Sequence, residues 1–318
     1  MLARGAEQRR AAEATVVYRR RGRSRARQFE TALPYLLILP VVLYECVLVV
    51  YPILDGIATS LTFTELAGLP PRFVGLANYA RLLRDDKMAD VAYATVVLTL
   101  GSVTAALLAG LFVALLLQRP FRGQTVVRIL LMLPWAVPDL PALLTVSWML
   151  NPVTGVLQVL FRLLPGVTEN VQIFNDPTLA RLALIGISCW KAYPFYSLVF
   201  LAALHNIPDQ LYEAARVDGA NGYHQFRYVT LPFIAPTFLV LIVLALIFSI
   251  KGFSLSFLFT GGGPDLATET LVVHIFKTAF YFFDYSYGQT MGTSGLLVAT
   301  VLAIAFQIIE RRRAAEGI

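Results

Sequence analysis

Four ionisable side chains stand inside long apolar runs of this 318-residue sequence: Glu45, Asp139, Lys191 and Lys251. A charge at the centre of a membrane helix costs roughly 2.5–3.5 kcal/mol on insertion scales, so each is a candidate for function or for pairing. Asp139 and Lys191 have opposite signs. A helical rise of about 1.5 Å per residue, counted from the ends of their runs, puts both near the middle of a bilayer. An ion pair or a shared polar site would neutralise them there. Lys191 also has Trp190, Tyr193, Phe195 and Tyr196 around it in sequence. Aromatic faces stack on the C–H surfaces of sugars, and polar groups among them satisfy hydroxyls. Trp148 and Ser254, in neighbouring runs, join Lys251 as further candidates for such a site. Each aromatic taken singly also suits plain helix packing.

Other chemistries lack their parts. There is no G-x-x-x-x-G-K-[ST] phosphate loop, and Gly261–Pro264 lacks the lysine and hydroxyl that nucleotide phosphates need. The chain is not expected to hydrolyse ATP. His205, His224 and His274 are far apart and read as loop or interface residues, so neither a metal nor a cofactor is expected in this chain. No nucleophile–base pairing stands out. The triple glycine reads as a tight turn.

These residues need apolar elements to carry them. Charged residues make up 14% and hydrophobic residues 57% of the chain, against about 25% charge in soluble domains. Mean hydropathy is +0.67. Apolar runs of about 20 residues recur, the length of a membrane-spanning helix, and helices satisfy the backbone internally in lipid. The expected fold class is an all-α polytopic membrane protein. Six spans are expected: Leu33–Ile57, Val91–Leu117, Val126–Leu150, Leu182–Leu204, Phe233–Phe257 and Met291–Ile309. Pro134, Pro138 and Pro141 should loosen the third. An amphipathic segment at Phe73–Asp86 and loops at Asn151–Arg181 and Phe259–Thr290 lie between spans. Cys46 and Cys189 sit in apolar runs, so a disulfide framework is not expected.

Lysine and arginine placement orients the chain. With the N-terminus inside, inner segments hold 17 Lys/Arg and outer segments seven, although the outer segments contain more residues than the inner loops. Both termini are therefore expected in the cytoplasm. Residues 1–32 form a tail with six arginines in Arg19–Arg27, a topology signal touching anionic lipid rather than a nucleic-acid surface. A signal peptide is not expected, because the following apolar run is too long. Residues 33–310 form the transmembrane domain and 311–318 a cytoplasmic end.

The stretch at 206–232 then becomes a cytoplasmic loop. Asn206 is positioned to cap a helix with Pro208 in its first turn. Gly219 and Gly222 are positioned to break it, and a second short helix runs through Gln225–Tyr228. Ala214 and Ala215 would let another protein approach closely, with Glu213 and Asp218 at the rim.

The spacing EAARVDGA (Glu213–Ala220), followed by Phe226, Val229, Leu231 and Pro232, resembles the signature loop of bacterial ABC-importer permeases. FVGLANYARLL (Phe73–Leu83), LPWAVP (Leu133–Pro138), WKAYPF (Trp190–Phe195) and LFTGGGP (Leu258–Pro264) are similar to the carbohydrate-uptake branch, the maltose and glycerol-phosphate permeases. The resemblance implies the type I ABC importer permease fold in a bacterial or archaeal inner membrane. It implies that Glu213, Ala214, Ala215, Asp218 and Gly219 couple to an ATPase. It further implies a second homologous permease, two ABC ATPase subunits that bind ATP and Mg, an extracytoplasmic solute-binding protein and a sugar substrate. The first span would pack on the partner permease, with Glu45 protonated or paired there. Asp139 stands where the family usually has a small or apolar residue, so no family role transfers to it. A permease for glycerol phosphate or another polyol is the alternative within the class. A stand-alone carrier or channel is the alternative outside it.

Overall fold

The structure, a computed structural model, describes residues 33–63, 70–163, 169–250 and 252–315. The arginine-rich tail and Lys251 lie outside these residues, as does the end of the chain beyond 315. The chain divides into two units, Met1–Thr59 and Ser60–Ile318. In the first, helix α1 (Leu33–Ser60) matches the expected first span and carries Glu45. It contains a π-helical turn at Cys46–Val50, two residues ahead of Pro52. A proline ring crowds the carbonyl four residues back, and a widened turn is one way to accommodate it.

The second unit opens with two short antiparallel strands, β1 (Thr62–Phe63) and β2 (Arg72–Phe73), with Thr62 opposite Phe73. Helix α2 (Ala77–Leu82) occupies the segment expected to be amphipathic. Its Asn78 is buried and donates to the carbonyls of Ser60 and Thr62 at 2.9 and 2.8 Å. Arg81 meets Asp284 at 2.6 Å and lies 3.9 Å above the Tyr287 ring. Tyr287 in turn donates to Asp85 at 2.7 Å.

Helices α3 (Lys87–Leu117) and α7 (Pro177–His205) form the main packing pair. They meet closely at Gly110, where an added Cβ would lie 2.8 Å from Tyr196 Cβ and 3.1 Å from the Ser197 nitrogen. Around this crossing Leu107, Ala114, Phe200, Leu204, Ile234 and Leu241 form a buried core. Asp176 begins α7 by accepting from the backbone N–H groups of Thr178 and Leu179, both at 2.8 Å, with Pro177 in the first turn.

The expected third span is not one straight helix. It forms α4 (Gln124–Ala136) and α5 (Asp139–Met149), bent by 92°. Val137 and Pro138 are extended at the break. Pro138 and Pro141 have no N–H, so the carbonyls of Pro134 and Val137 lose their helical donors. The short helix α6 (Leu157–Phe161) lies in the next loop.

The loop after α7 also differs from expectation. Asn206 ends α7 rather than capping the next helix. Helix α8 (Asp209–Val217) begins after Pro208. Gly219 terminates it with φ +83°, while Gly219 and Ala220 return N–H bonds to the carbonyls of Arg216 and Ala215 at 3.0 and 2.8 Å. Gly222 is not part of this break. Asn221 caps the start of α9 (Gly222–Ile250) by accepting from the His224 N–H at 3.0 Å. The expected second short helix is therefore the beginning of the fifth span, with a π turn at Phe226–Thr230 ahead of Pro232.

Helices α10 (Phe253–Thr260) and α11 (Leu271–Tyr281) and the long α12 (Tyr285–Ala315), which includes the expected sixth span, complete the chain. Among the described residues, four helices are long and apolar enough to cross a membrane, or five if the bent pair counts as one span.

Candidate functional site

A cavity of about 350 Å³ lies within the second unit, bordered by α3, the α4/α5 break, α7, α9 and α10. One face of α7 supplies Leu184, Ser188, Lys191, Ala192, Phe195 and Tyr196. These positions recur at three- and four-residue intervals, the spacing of a helix face. From α3 come Thr99 and Ser102, from the bent pair Trp135 and Asp139, and from the later elements Ser249, Ser256 and Thr270. The Trp135 and Phe195 rings stack with centroids 6.1 Å apart and planes at 22°.

Asp139 and Lys191 form an ion pair, Nζ to Oδ1, at 2.9 Å. Lys191 Nζ also donates to the Val137 carbonyl. That carbonyl needs an external donor because the residue four positions on is Pro141. Asp139 lies in the first turn of α5, where a carboxylate suits the helix dipole. One ammonium thus supports a bent backbone and neutralises a carboxylate at the wall of the cavity. Tyr196, also on that wall, is 5% exposed.

The remaining candidates separate. Trp190 and Tyr193 are on α7 but do not border the cavity; Tyr193 Oη instead reaches the Leu131 carbonyl at 3.5 Å. Trp148 is 62% exposed on α5, away from the cavity. Ser254 is half-buried on α10, whereas its neighbour Ser256 is the residue on the wall. Ser249, Ser256 and Thr270 carried no motif in the sequence. The α7 face could have been found from its period around Lys191.

His274 is not a simple loop histidine. It is buried, and its Nδ1 lies 2.6 Å from Glu269 Oε1. Lys277 donates to the other Glu269 oxygen. Burial alone would raise the Glu269 carboxyl above its ordinary value. Hydrogen bonds from His274 and Lys277, together with their charge, outweigh burial and hold it below. The glycine turn beside it is knotted by Thr268, whose hydroxyl donates to the Gly263 carbonyl and pairs with Thr260 Oγ1, both at 2.6 Å. The Thr268 carbonyl accepts from Ser256. Thr270 begins α11, and its hydroxyl has no partner among the described residues.

The second group of candidates is together on α8 and its cap. Glu213 and Ala214 are exposed, Ala215 is half-buried, Asp218 caps the helix and Gly219 supplies the left-handed turn. Tyr212 anchors the other face by a 2.9 Å hydrogen bond with Thr230 on α9.

A family model described as binding-protein-dependent transport system inner membrane component matches residues 106–314. The sulfoquinovosyl glycerol transport system permease protein of Agrobacterium fabrum is 34% identical over 283 residues, covering 88% of this chain and 91% of that protein. The trehalose/maltose transport system permease protein of Thermococcus litoralis is 32% identical over 287 residues, covering 90% and 95%. The crystal structure of a bacterial ABC transporter involved in the import of alginate shares the fold, with a TM-score of 0.77 at 22% identity over 90% of this chain and 98% of that one. A family match over this much of the chain, with long apolar helices to carry it, is decisive: the chain belongs to the binding-protein-dependent transport system inner membrane components and is a multi-pass, non-catalytic membrane subunit of the ABC importer permease class.

Proposed function

We propose that this subunit forms half of the translocation path of an ATP-driven importer for a sugar or oligosaccharide. The observation that carries the reading is the cavity beside the α4/α5 break, with its stacked aromatics, its serine and threonine side chains and its paired charges. Such a lining offers stacking surface and mixed donors and acceptors, which polyhydroxylated solutes require. The sugar-permease relatives support the same substrate class.

In this reading a second, homologous permease completes the path. Two ABC ATPase subunits bind ATP and Mg, and an extracytoplasmic solute-binding protein delivers the sugar. Both termini and α8 face the cytoplasm, in accord with the lysine and arginine bias. Glu213, Ala214, Ala215, Asp218 and Gly219 present α8 to an ATPase groove, and closure of the ATPase dimer moves α8 and the two spans it joins. Bent α4/α5 gives the path a non-helical backbone, which the hydrocarbon region tolerates where it borders a cavity.

The test is uptake into proteoliposomes holding the complete complex, with labelled trehalose and maltose outside and ATP inside. The reading requires uptake that needs both ATP and the binding protein. Equal uptake without ATP would favour a stand-alone carrier.

A further inference from the structure

Among the described residues bordering the cavity, Asp139 and Lys191 are the charged ones. An ammonium has three N–H donors, and a carboxylate accepts on both oxygens. Lys191 uses one donor on Asp139 Oδ1 and another on the Val137 carbonyl. One donor remains. Asp139 uses Oδ1 for Lys191, and its side chain is 53% exposed, so Oδ2 is left to accept.

We propose that Asp139 and Lys191 act as one clamp for two neighbouring hydroxyls of an uncharged solute, and that Asp139 sets this selectivity. Asp139 Oδ2 accepts from one hydroxyl, and the third N–H of Lys191 donates to the oxygen of the next. The proposal rests on the sugar reading above and deepens it. The 2.9 Å contact between Nζ and Oδ1 holds the ammonium and the carboxylate side by side, so the donor and acceptor left over are neighbours, as the two hydroxyls of a vicinal diol are. A diol is both donor and acceptor, so it satisfies both halves at once. An anionic group would satisfy Lys191 but meet the charge of Asp139, a repulsive element that specificity commonly uses. A deoxygenated solute would forfeit one of the two charge-assisted hydrogen bonds. Trp135 and Phe195 border the same space and supply an apolar wall for the ring.

The competing account gives the pair only a supporting role at the helix break. Support affects transport of every solute alike, whereas a clamp changes discrimination between them. The test therefore compares wild type, Asp139→Asn and Lys191→Gln in the complete reconstituted transporter. The probes are labelled maltose and trehalose and their monodeoxy derivatives. The binding protein is the same in every arm, so its own selectivity cancels. In wild type, loss of a clamped hydroxyl should lower subsaturating uptake about tenfold or more, the factor a charge-assisted hydrogen bond carries. In both variants that parent-to-deoxy ratio should fall by about the same factor relative to wild type. A ratio unchanged across all three proteins overturns the clamp and leaves the pair structural. Lys191→Gln keeps a donor for the Val137 carbonyl, so it decides the matter if Asp139→Asn fails to assemble. If wild type carries no sugar of the panel with ATP and binding protein present, the sugar reading fails first and the clamp with it.

Discussion

Lys191 shows how one side chain reconciles a proline-broken helix with a low-dielectric surrounding. Removing one partner of such a pair leaves an uncompensated charge, whereas removing both can be nearly neutral. In a thermal-unfolding cycle, Asp139→Asn and Lys191→Met should each destabilise the assembled complex, with the double change costing less than their sum by about 1–2 kcal/mol. Strict additivity would contradict the pair. The pairing was legible in the sequence, because opposite charges fell at matching depths. The aromatic assignments were less so. Neighbours on a helix are about 100° apart, so Trp190 and Tyr193 leave the face that holds Lys191 and Phe195. Glu269 was not legible at all: it stands just ahead of α11, and its partners His274 and Lys277, three residues apart on that helix, are five and eight residues along the chain from it. Its lowered pKa makes a signed prediction. The group contributes stability above the unfolded value of about 4.3, and that contribution is lost as pH falls below it. Glu269→Gln should therefore lower stability at neutral pH and flatten the acid limb of an unfolding-versus-pH curve. An acid limb identical to wild type would rule this out.

At the scale of elements, the long apolar runs located α1, α3 and α7 within a few residues, because such runs dominate local signals. They failed where proline chemistry competes. Three prolines in the third run were expected to loosen a span, but they turn it through 92°. The run Phe233–Phe257 likewise merges the end of α9 with α10, which Gly252 separates. Gly222 was read as a breaker, but it begins a span because Asn221 caps it; only Gly219 adopts the left-handed turn. Helix contact was invisible in sequence. Gly110 is where the α3 and α7 backbones approach, whereas Gly186 on α7 has nothing within 4 Å of an added Cβ. Gly110→Ala should cost about 1–3 kcal/mol through overpacking, while Gly186→Ala should be neutral or slightly stabilising. Equal unfolding temperatures for the two variants would contradict this packing.

At the scale of the whole molecule, orientation decides what each surface can meet. If α8 lies inside, a cysteine at Val217, which is 88% exposed, should resist an impermeant thiol reagent added outside. One at Val153, 86% exposed in the loop after α5, should react. Cys46 and Cys189 would first be replaced by serine. Gly262 is a poorer site, because its φ of +89° and an added Cβ 2.6 Å from Glu269 would strain any cysteine there. Reversed labelling would overturn the orientation. The proposed role of α8 is to transmit the work of a partner ATPase to the spans around the cavity. Its most direct measurement is uptake by the reconstituted complex carrying Glu213→Ala, with binding-protein-stimulated ATP hydrolysis followed in the same vesicles. The variant complex should assemble but take up sugar no faster than wild type does without ATP. Wild-type uptake and coupling in that variant would contradict it.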